Sequence, residues 1–189
     1  MKETTVIFGL AMYSLGLIFG IIIPTLHWYM FKLLTAAIAS LAIAAPSMAT
    51  SWTDIESLTK LVEQTGTSVE AIDCPEGRLG FYQFDKQNNI DRLVICKNNV
   101  DTSDSDAVWE VVAHEATHVM QACQGGPVIA DAYVPRVLRE LQETAPHYYA
   151  VLQEYRGDHK RVELEAFWME LRTPAVVMDW MVTYCFQEQ

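Results

Sequence analysis

The sequence predicts an α+β domain in which a small antiparallel sheet packs on one central helix and a mostly helical C-terminal half follows. Residues 51–64 carry apolar side chains at helical spacing, and residues 68–72, 80–84 and 92–97 are short runs of β-branched or aromatic character. From residue 104 onward, helix-like segments alternate with glycine and proline. This order of one helix, short strands and then several helices is typical of the α+β class.

Each predicted element has a local signal. In the first helix, apolar residues recur every three or four positions: Ile55, Leu58, Leu61 and Val62. The polar segment DKQNNID at residues 85–91 separates the second and third strands, which predicts a β-hairpin.

The longest predicted helix covers residues 104–123. Ser103 and Asp106 have the spacing of a capping box at its start, and Gly125-Gly126-Pro127 ends it. Further helices are predicted at residues 135–143, 148–155, 158–171 and 175–186, with Pro146, Gly157 and Pro174 as the breaks between them.

Charge divides the chain into two parts. The 189 residues have a net charge of −11, but the first 49 contain only Lys2, Lys32 and Glu3 as charged residues, a net of +1. The difference leaves −12 on residues 50–189. A domain this acidic offers no general surface for phosphates, so nucleic acid is excluded as an expected partner.

The N-terminal part contains two apolar segments. Residues 6–23 are long enough to span a bilayer, so residues 1–29 are an apolar extension or a membrane segment. Residues 30–49 follow the pattern of a signal peptide, with Lys32, an apolar stretch and the small residues of Ser47-Met48-Ala49. We therefore expect cleavage after Ala49 and export to the periplasm or the extracellular space.

The alternative is a membrane anchor built from both apolar segments. A two-helix hairpin would return the domain to the cytoplasm and place Lys32 on the outer side, against the positive-inside bias. Anchoring of an exported domain through the first segment stays open.

Cysteine usage agrees with export. Cys74, Cys96, Cys123 and Cys185 all follow the predicted cleavage site. Four cysteines in an exported domain indicate two disulfides with three possible pairings, of which we favour Cys74–Cys96 and Cys123–Cys185. The alternatives are free thiols or a metal site, but there is no C-x-x-C pair of the kind that cysteine zinc sites use.

The motif HEATH at residues 114–118 carries the candidate chemistry. His114 and His118 are four residues apart, so on a helix their imidazoles share one face and can bind one zinc ion. Glu115 lies about 100° around the helix, beside the metal, where a general base would take a proton from the attacking water. The alternative is a pair of surface histidines, but the surrounding residues are mostly apolar, which favours a buried helix.

A catalytic zinc site takes three protein ligands, so one more is needed. His147, His159 and several downstream carboxylates are candidates. The metzincin extension of the motif is absent, because Gln121 and Gln124 stand where its glycine and third histidine would be expected.

Together with HEATH, the segment ELEAFWMELRTP at residues 163–174 resembles the gluzincin metallopeptidases. Their third ligand is a glutamate on a later helix, commonly followed three residues later by Ala or Ser. That resemblance implies Glu163, which has Ala166 at this offset, rather than Glu165, which has Trp168. The segment is also similar to the glutamate helix of the minimal ImmA/IrrE-type gluzincins, although Phe167 replaces their usual Asn or Asp.

The resemblance implies a zinc metallopeptidase that hydrolyses a peptide or protein substrate, with Glu115 as general base. Together with the predicted export, we expect an exported monomer. A Tyr or His would stabilise the oxyanion, and the candidates crowd the segment before Glu163: His147, Tyr148, Tyr149, Tyr155 and His159. The alternative function is a non-catalytic, secreted zinc-binding or protein-binding domain on a zincin scaffold.

Overall fold

A computed structural model describes residues 50–187. The predicted extension at residues 1–29 and the predicted signal peptide at residues 30–49 lie outside these described residues. Between residues 50 and 187, no helix is both long enough and apolar enough to cross a membrane.

The first half of the domain contains one helix and three strands: α1 (Trp52–Gln64), β1 (Ser68–Ile72), β2 (Gly80–Asp85) and β3 (Ile90–Cys96). Ser51 and Asp54 form a capping box that starts α1. The predicted hairpin joins β2 to β3, and the Asp85 carboxylate holds its turn by accepting the backbone N–H groups of Gln87 and Asn88.

The sheet is mixed, so the prediction of an antiparallel sheet was wrong. Its strand order is β1-β3-β2, with β2 antiparallel and β1 parallel to the central β3. The Cys74–Cys96 disulfide gives a physical reason, because it joins the ends of β1 and β3 and holds Ile72 opposite Cys96. The sequence pattern shows which segments are strands but not how the chain returns between them.

The long helix α2 (Ser105–Gln124) lies at the centre of the domain and packs against the sheet and against neighbouring helices. Its cap is Asp104, which accepts the N–H of Asp106, whereas Ser103 bonds to Asp101 instead. Gly125 ends the helix in the left-handed conformation with φ 75°.

The second half is helical: a short 3-10 turn at Asp131–Tyr133, then α3 (Val134–Thr144), α4 (Pro146–Leu152), α5 (Gly157–Met169) and α6 (Pro174–Cys185). Helices α5 and α6 both pack on α2. One cluster of apolar side chains connects these helices with α1 and the sheet. The described domain is therefore α+β with mostly helical content.

Two disulfides are present, Cys74–Cys96 and Cys123–Cys185, which is the pairing favoured from the sequence. The second links the end of α2 to the end of α6, with 5.2 Å between the two Cα atoms. No cysteine among the described residues is free. Two such bridges indicate an oxidising compartment.

Candidate metal centre

Three side chains from two helices converge on one point. His114 and His118 lie one turn apart on α2, with ring centroids 5.2 Å apart. From α5, Glu163 places Oε2 3.3 Å from Nε2 of His114 and Oε1 3.8 Å from Nε2 of His118. One ligand atom from each of the three residues lies within 4.8 Å of the others, the spacing of a cluster that could hold a metal ion.

The close approach of α5 to α2 positions Glu163. Ala166, one turn later on α5, is fully buried. Phe167 packs its ring edgewise against His114, with centroids 4.9 Å apart. Phe167 therefore contacts His114 through its ring and offers it no hydrogen bond.

The other candidates for the third ligand lie elsewhere. Glu165 points away from the histidines into the core, and His147 and His159 are both exposed. Among the described residues, the cluster that could hold a metal ion contains His114, His118 and Glu163 and neither of these two histidines.

The Nδ1 atoms of both histidines form hydrogen bonds to neighbouring side chains, and their Nε2 atoms face Glu163. His118 donates from Nδ1 to Gln121 Oε1 at 2.8 Å, because the amide nitrogen of Gln121 is already directed to the carbonyl of Val162 and to Glu165. His114 donates from Nδ1 to Glu170 Oε2 at 2.9 Å. Such partners hold a proton at Nδ1, so Nε2 is the nitrogen that a metal can use.

Sequence reasoning missed both of these partners. Gln121 follows His118 by three residues on the same helix, so it was within local reach. Glu170 follows α5, two helical turns after Glu163, and only the packing of the two helices brings it to His114.

Glu115 lies between the histidines and the sheet. It is 7% exposed, and a Cβ atom added to Gly80 would lie 3.2 Å from its Cγ. Only glycine allows β2 to approach α2 this closely, because the same Cβ would also collide with Val111 at 2.6 Å. Burial, with a smaller contribution from Glu163, raises the pKa of Glu115 to about 7, against the opposing charge of His114 and a hydrogen bond from the Tyr82 N–H.

Without a metal, the pKa values of His114 and His118 shift in opposite directions. Burial disfavours a charged His114, but hydrogen bonds to Glu163 and Glu170 outweigh it and raise its pKa to about 10. Burial and the nearby charge of His114 lower the pKa of His118. Burial disfavours ionisation of Glu163, but the hydrogen bond from His114 and the two imidazole charges lower its pKa. The site therefore holds a carboxylate and a proton that a cation can displace.

A cleft of about 1070 Å³ opens over these residues, and β2 forms one of its walls. In the sheet order β2 is an edge strand. The Cys96 N–H bonds to the Leu79 carbonyl, so by antiparallel alternation Gly80 and Tyr82 direct their backbone groups away from β3. The free edge of β2 therefore borders the cleft, a placement that the sequence did not reveal.

Two of the predicted oxyanion candidates line the cleft. Tyr155 follows α4 and lies close enough to Glu163 and Glu115 that, after burial, their charges raise its pKa. Its hydroxyl forms no hydrogen bond to any residue from 50 to 187. Tyr148 instead donates to Glu110 Oε2 at 3.0 Å, and Tyr149 packs against the core.

The family DUF8637, described as a domain of unknown function, matches residues 51–186. The matched range includes every residue of the cluster described above. No curated protein and no solved structure matches the chain.

Proposed function

The chain belongs to the DUF8637 family, and we propose that it is an exported, zinc-dependent metallopeptidase with the gluzincin arrangement of ligands. The observation that carries the proposal is the convergence of His114, His118 and Glu163, with a buried Glu115 beside them. Glu163 lies on α5 and the two histidines lie on α2, so their convergence does not follow from the HEATH motif alone.

The donor set fits zinc. Two neutral imidazole nitrogens and one carboxylate are the ligands of a known class of catalytic zinc sites, which keep one further position for water or substrate. The hydrogen bonds at Nδ1 of both histidines direct the two Nε2 atoms to the metal position, where a cation would displace the proton of His114. Among the described residues, no fourth His, Cys, Asp or Glu joins the cluster to close it.

In the proposed reaction, Glu115 is the general base. Zinc, when bound, supplies a Lewis acid that polarises the scissile carbonyl and lowers the pKa of water. The Glu115 carboxylate accepts a proton from the attacking water and delivers it to the leaving amine. Its burial keeps bulk water away, and the N–H of Tyr82 holds one orientation of the carboxylate.

Tyr155 is the proposed donor to the oxyanion. Its phenol lines the cleft near Glu163 and Glu115, and its hydroxyl proton is not used by any residue of the described domain. A donor placed where negative charge develops stabilises the transition state more than the ground state. Tyr148 is less suitable, since its proton is already directed to Glu110.

The proposed substrate is an extended polypeptide. The outward N–H and C=O groups of Gly80 and the outward carbonyl of Tyr82 offer an edge to which a peptide backbone can add as a further strand. Such recognition uses main-chain hydrogen bonds, so an unfolded protein is a suitable first substrate.

Metal removal and return test this proposal. We expect the purified protein to cleave an unfolded protein, to lose this activity when a chelator removes zinc, and to regain it when zinc is restored. Hydrolysis that survives complete removal of the metal would contradict the proposal. One bound zinc per chain without hydrolysis of any peptide would support the alternative, a non-catalytic zinc-binding domain.

A further inference from the structure

Glu170 is a buried carboxylate that the proposed reaction does not use. It is 6% exposed, and its Oε2 accepts the hydrogen bond from His114 Nδ1 at 2.9 Å. We propose that Glu170 is the positioning residue for His114: it holds the imidazole in the tautomer and orientation that present Nε2 to a metal. This inference rests on the proposed zinc site.

A structural role alone does not account for Glu170. The comparison is Glu165, another buried carboxylate of the same region, whose Oε1 accepts from the Ile129 N–H and whose Oε2 accepts from Val128 and Gln121. Its Oε1 also forms an ion pair with Arg161 at 3.1 Å. By contrast, Oε1 of Glu170 has no hydrogen-bond partner of normal geometry among the described residues, although the Tyr148 hydroxyl lies nearby. A buried carboxylate with so few hydrogen bonds is costly to the fold, which favours a role at the neighbouring histidine.

Within residues 50–187, Glu170 and Glu163 are the two polar groups that restrain the imidazole of His114. Phe167 packs against one part of the ring but has no polar atom to select a tautomer. Without an acceptor at Nδ1, the proton could move to Nε2, which would block metal binding there. A carboxylate acceptor also makes the imidazole a stronger ligand than an amide acceptor does.

The two histidines are therefore restrained by different chemistry. An amide, Gln121, holds His118, whereas a carboxylate, Glu170, holds His114. The carboxylate reaches His114 from the C-terminal end of α5.

Metal affinity tests the role without any activity measurement. Competition with a chromophoric chelator should show that Glu170→Ala weakens zinc binding about 10- to 100-fold, and Glu170→Gln less, because the amide oxygen still accepts from Nδ1. The matched control is Glu110→Gln, which removes another carboxylate of the cleft that does not touch His114 and should leave the affinity unchanged.

Cobalt gives a second readout. The visible absorption of the Co²⁺ form should change in Glu170→Ala and in Glu170→Gln but not in Glu110→Gln, because only the first two alter the ligand field at His114. If Glu170→Ala does not fold, Glu170→Gln decides. Wild-type zinc affinity together with a wild-type cobalt spectrum in a folded Glu170 variant would overturn the proposal.

These measurements distinguish the role of Glu170 from the proposed peptidase activity. A wild-type protein that binds zinc through His114 but cleaves nothing would overturn the proposed activity and leave the role of Glu170 intact. A wild-type protein that binds neither zinc nor cobalt would overturn the metal centre and this role with it.

Discussion

Glu163 and Glu165 are two residues apart on α5 but face opposite sides of the helix. The carboxylate of Glu163 lies 3.3 Å from His114 Nε2, whereas that of Glu165 is fully buried and accepts the backbone N–H groups of Val128 and Ile129. Two residues on a helix are separated by about 200°, so one segment provides both a candidate ligand and a structural anchor.

The first prediction compares these two glutamates. Glu163→Ala should weaken zinc binding by more than the roughly 10–100-fold typical of an outer-shell partner. Glu165→Ala should keep zinc but lower the free energy of unfolding by about 3–5 kcal/mol, since it leaves Arg161 and two backbone donors without their acceptor. Chelator competition and urea unfolding measure the two effects. Loss of zinc binding in Glu165→Ala but not in Glu163→Ala would instead make Glu165 the ligand.

The second prediction concerns the two histidines of α2. His114→Ala and His118→Ala should each remove most of the bound zinc, because a single imidazole and Glu163 provide too few donors. His147→Ala and His159→Ala are matched controls, since both side chains are exposed and lie outside the cluster. Zinc content per chain is the measurement. Full occupancy in either α2 variant would show that HEATH is not the site.

The third prediction is a pH dependence of the metal-free protein. Folding raises the pKa of His114 to about 10, against about 6.5 in an unfolded chain, so between these values the folded state binds one proton more. Its contribution to stability is complete below about pH 6.5 and is lost as the pH rises through 10. The free energy of unfolding should fall by up to about 1.4 kcal/mol per pH unit in this window.

Urea unfolding between pH 6.5 and 9.5 checks that slope. Metal-free His114→Ala is the control, and its stability should depend less on pH because the titrating group is gone. A wild-type stability that rises over this range would contradict the protonated state of His114. Zinc uptake near pH 7 should correspondingly release a proton.

The fourth prediction assigns the oxyanion donor. Tyr155→Phe should lower kcat about 10²- to 10³-fold and leave zinc content unchanged, because only a hydrogen bond in the transition state is lost. Tyr149→Phe is the control, since that residue packs against the core away from the cleft lining. Equal activity in the two variants would remove Tyr155 from the mechanism.

Much of the site could be predicted from the sequence because its main components are local. The spacing of His114 and His118 follows from helix geometry alone, and the small Ala166 after Glu163 indicates close helix packing. The pairing of the cysteines also agreed with the structure, since each pair lies at the ends of neighbouring elements.

The remaining features depend on long-range packing, which local patterns do not encode. The parallel pairing of β1 with β3 and the position of β2 at the edge depend on how the chain returns after Ile72. The contact between Glu170 and His114 joins residues 56 positions apart and requires the packing of α5 on α2. Glycine is needed at position 80 only because β2 packs closely against Glu115 and Val111 at that point.

Glu115→Gln provides the sharpest test of the proposed peptidase, with zinc content and hydrolysis of an unfolded protein measured on the same sample. Glutamine keeps the size of the side chain but cannot accept the proton, so only the chemical step should suffer. We predict one zinc per chain, an unchanged fold and no detectable hydrolysis, beside an active wild type. Undiminished turnover in this variant would contradict the role of Glu115 as general base.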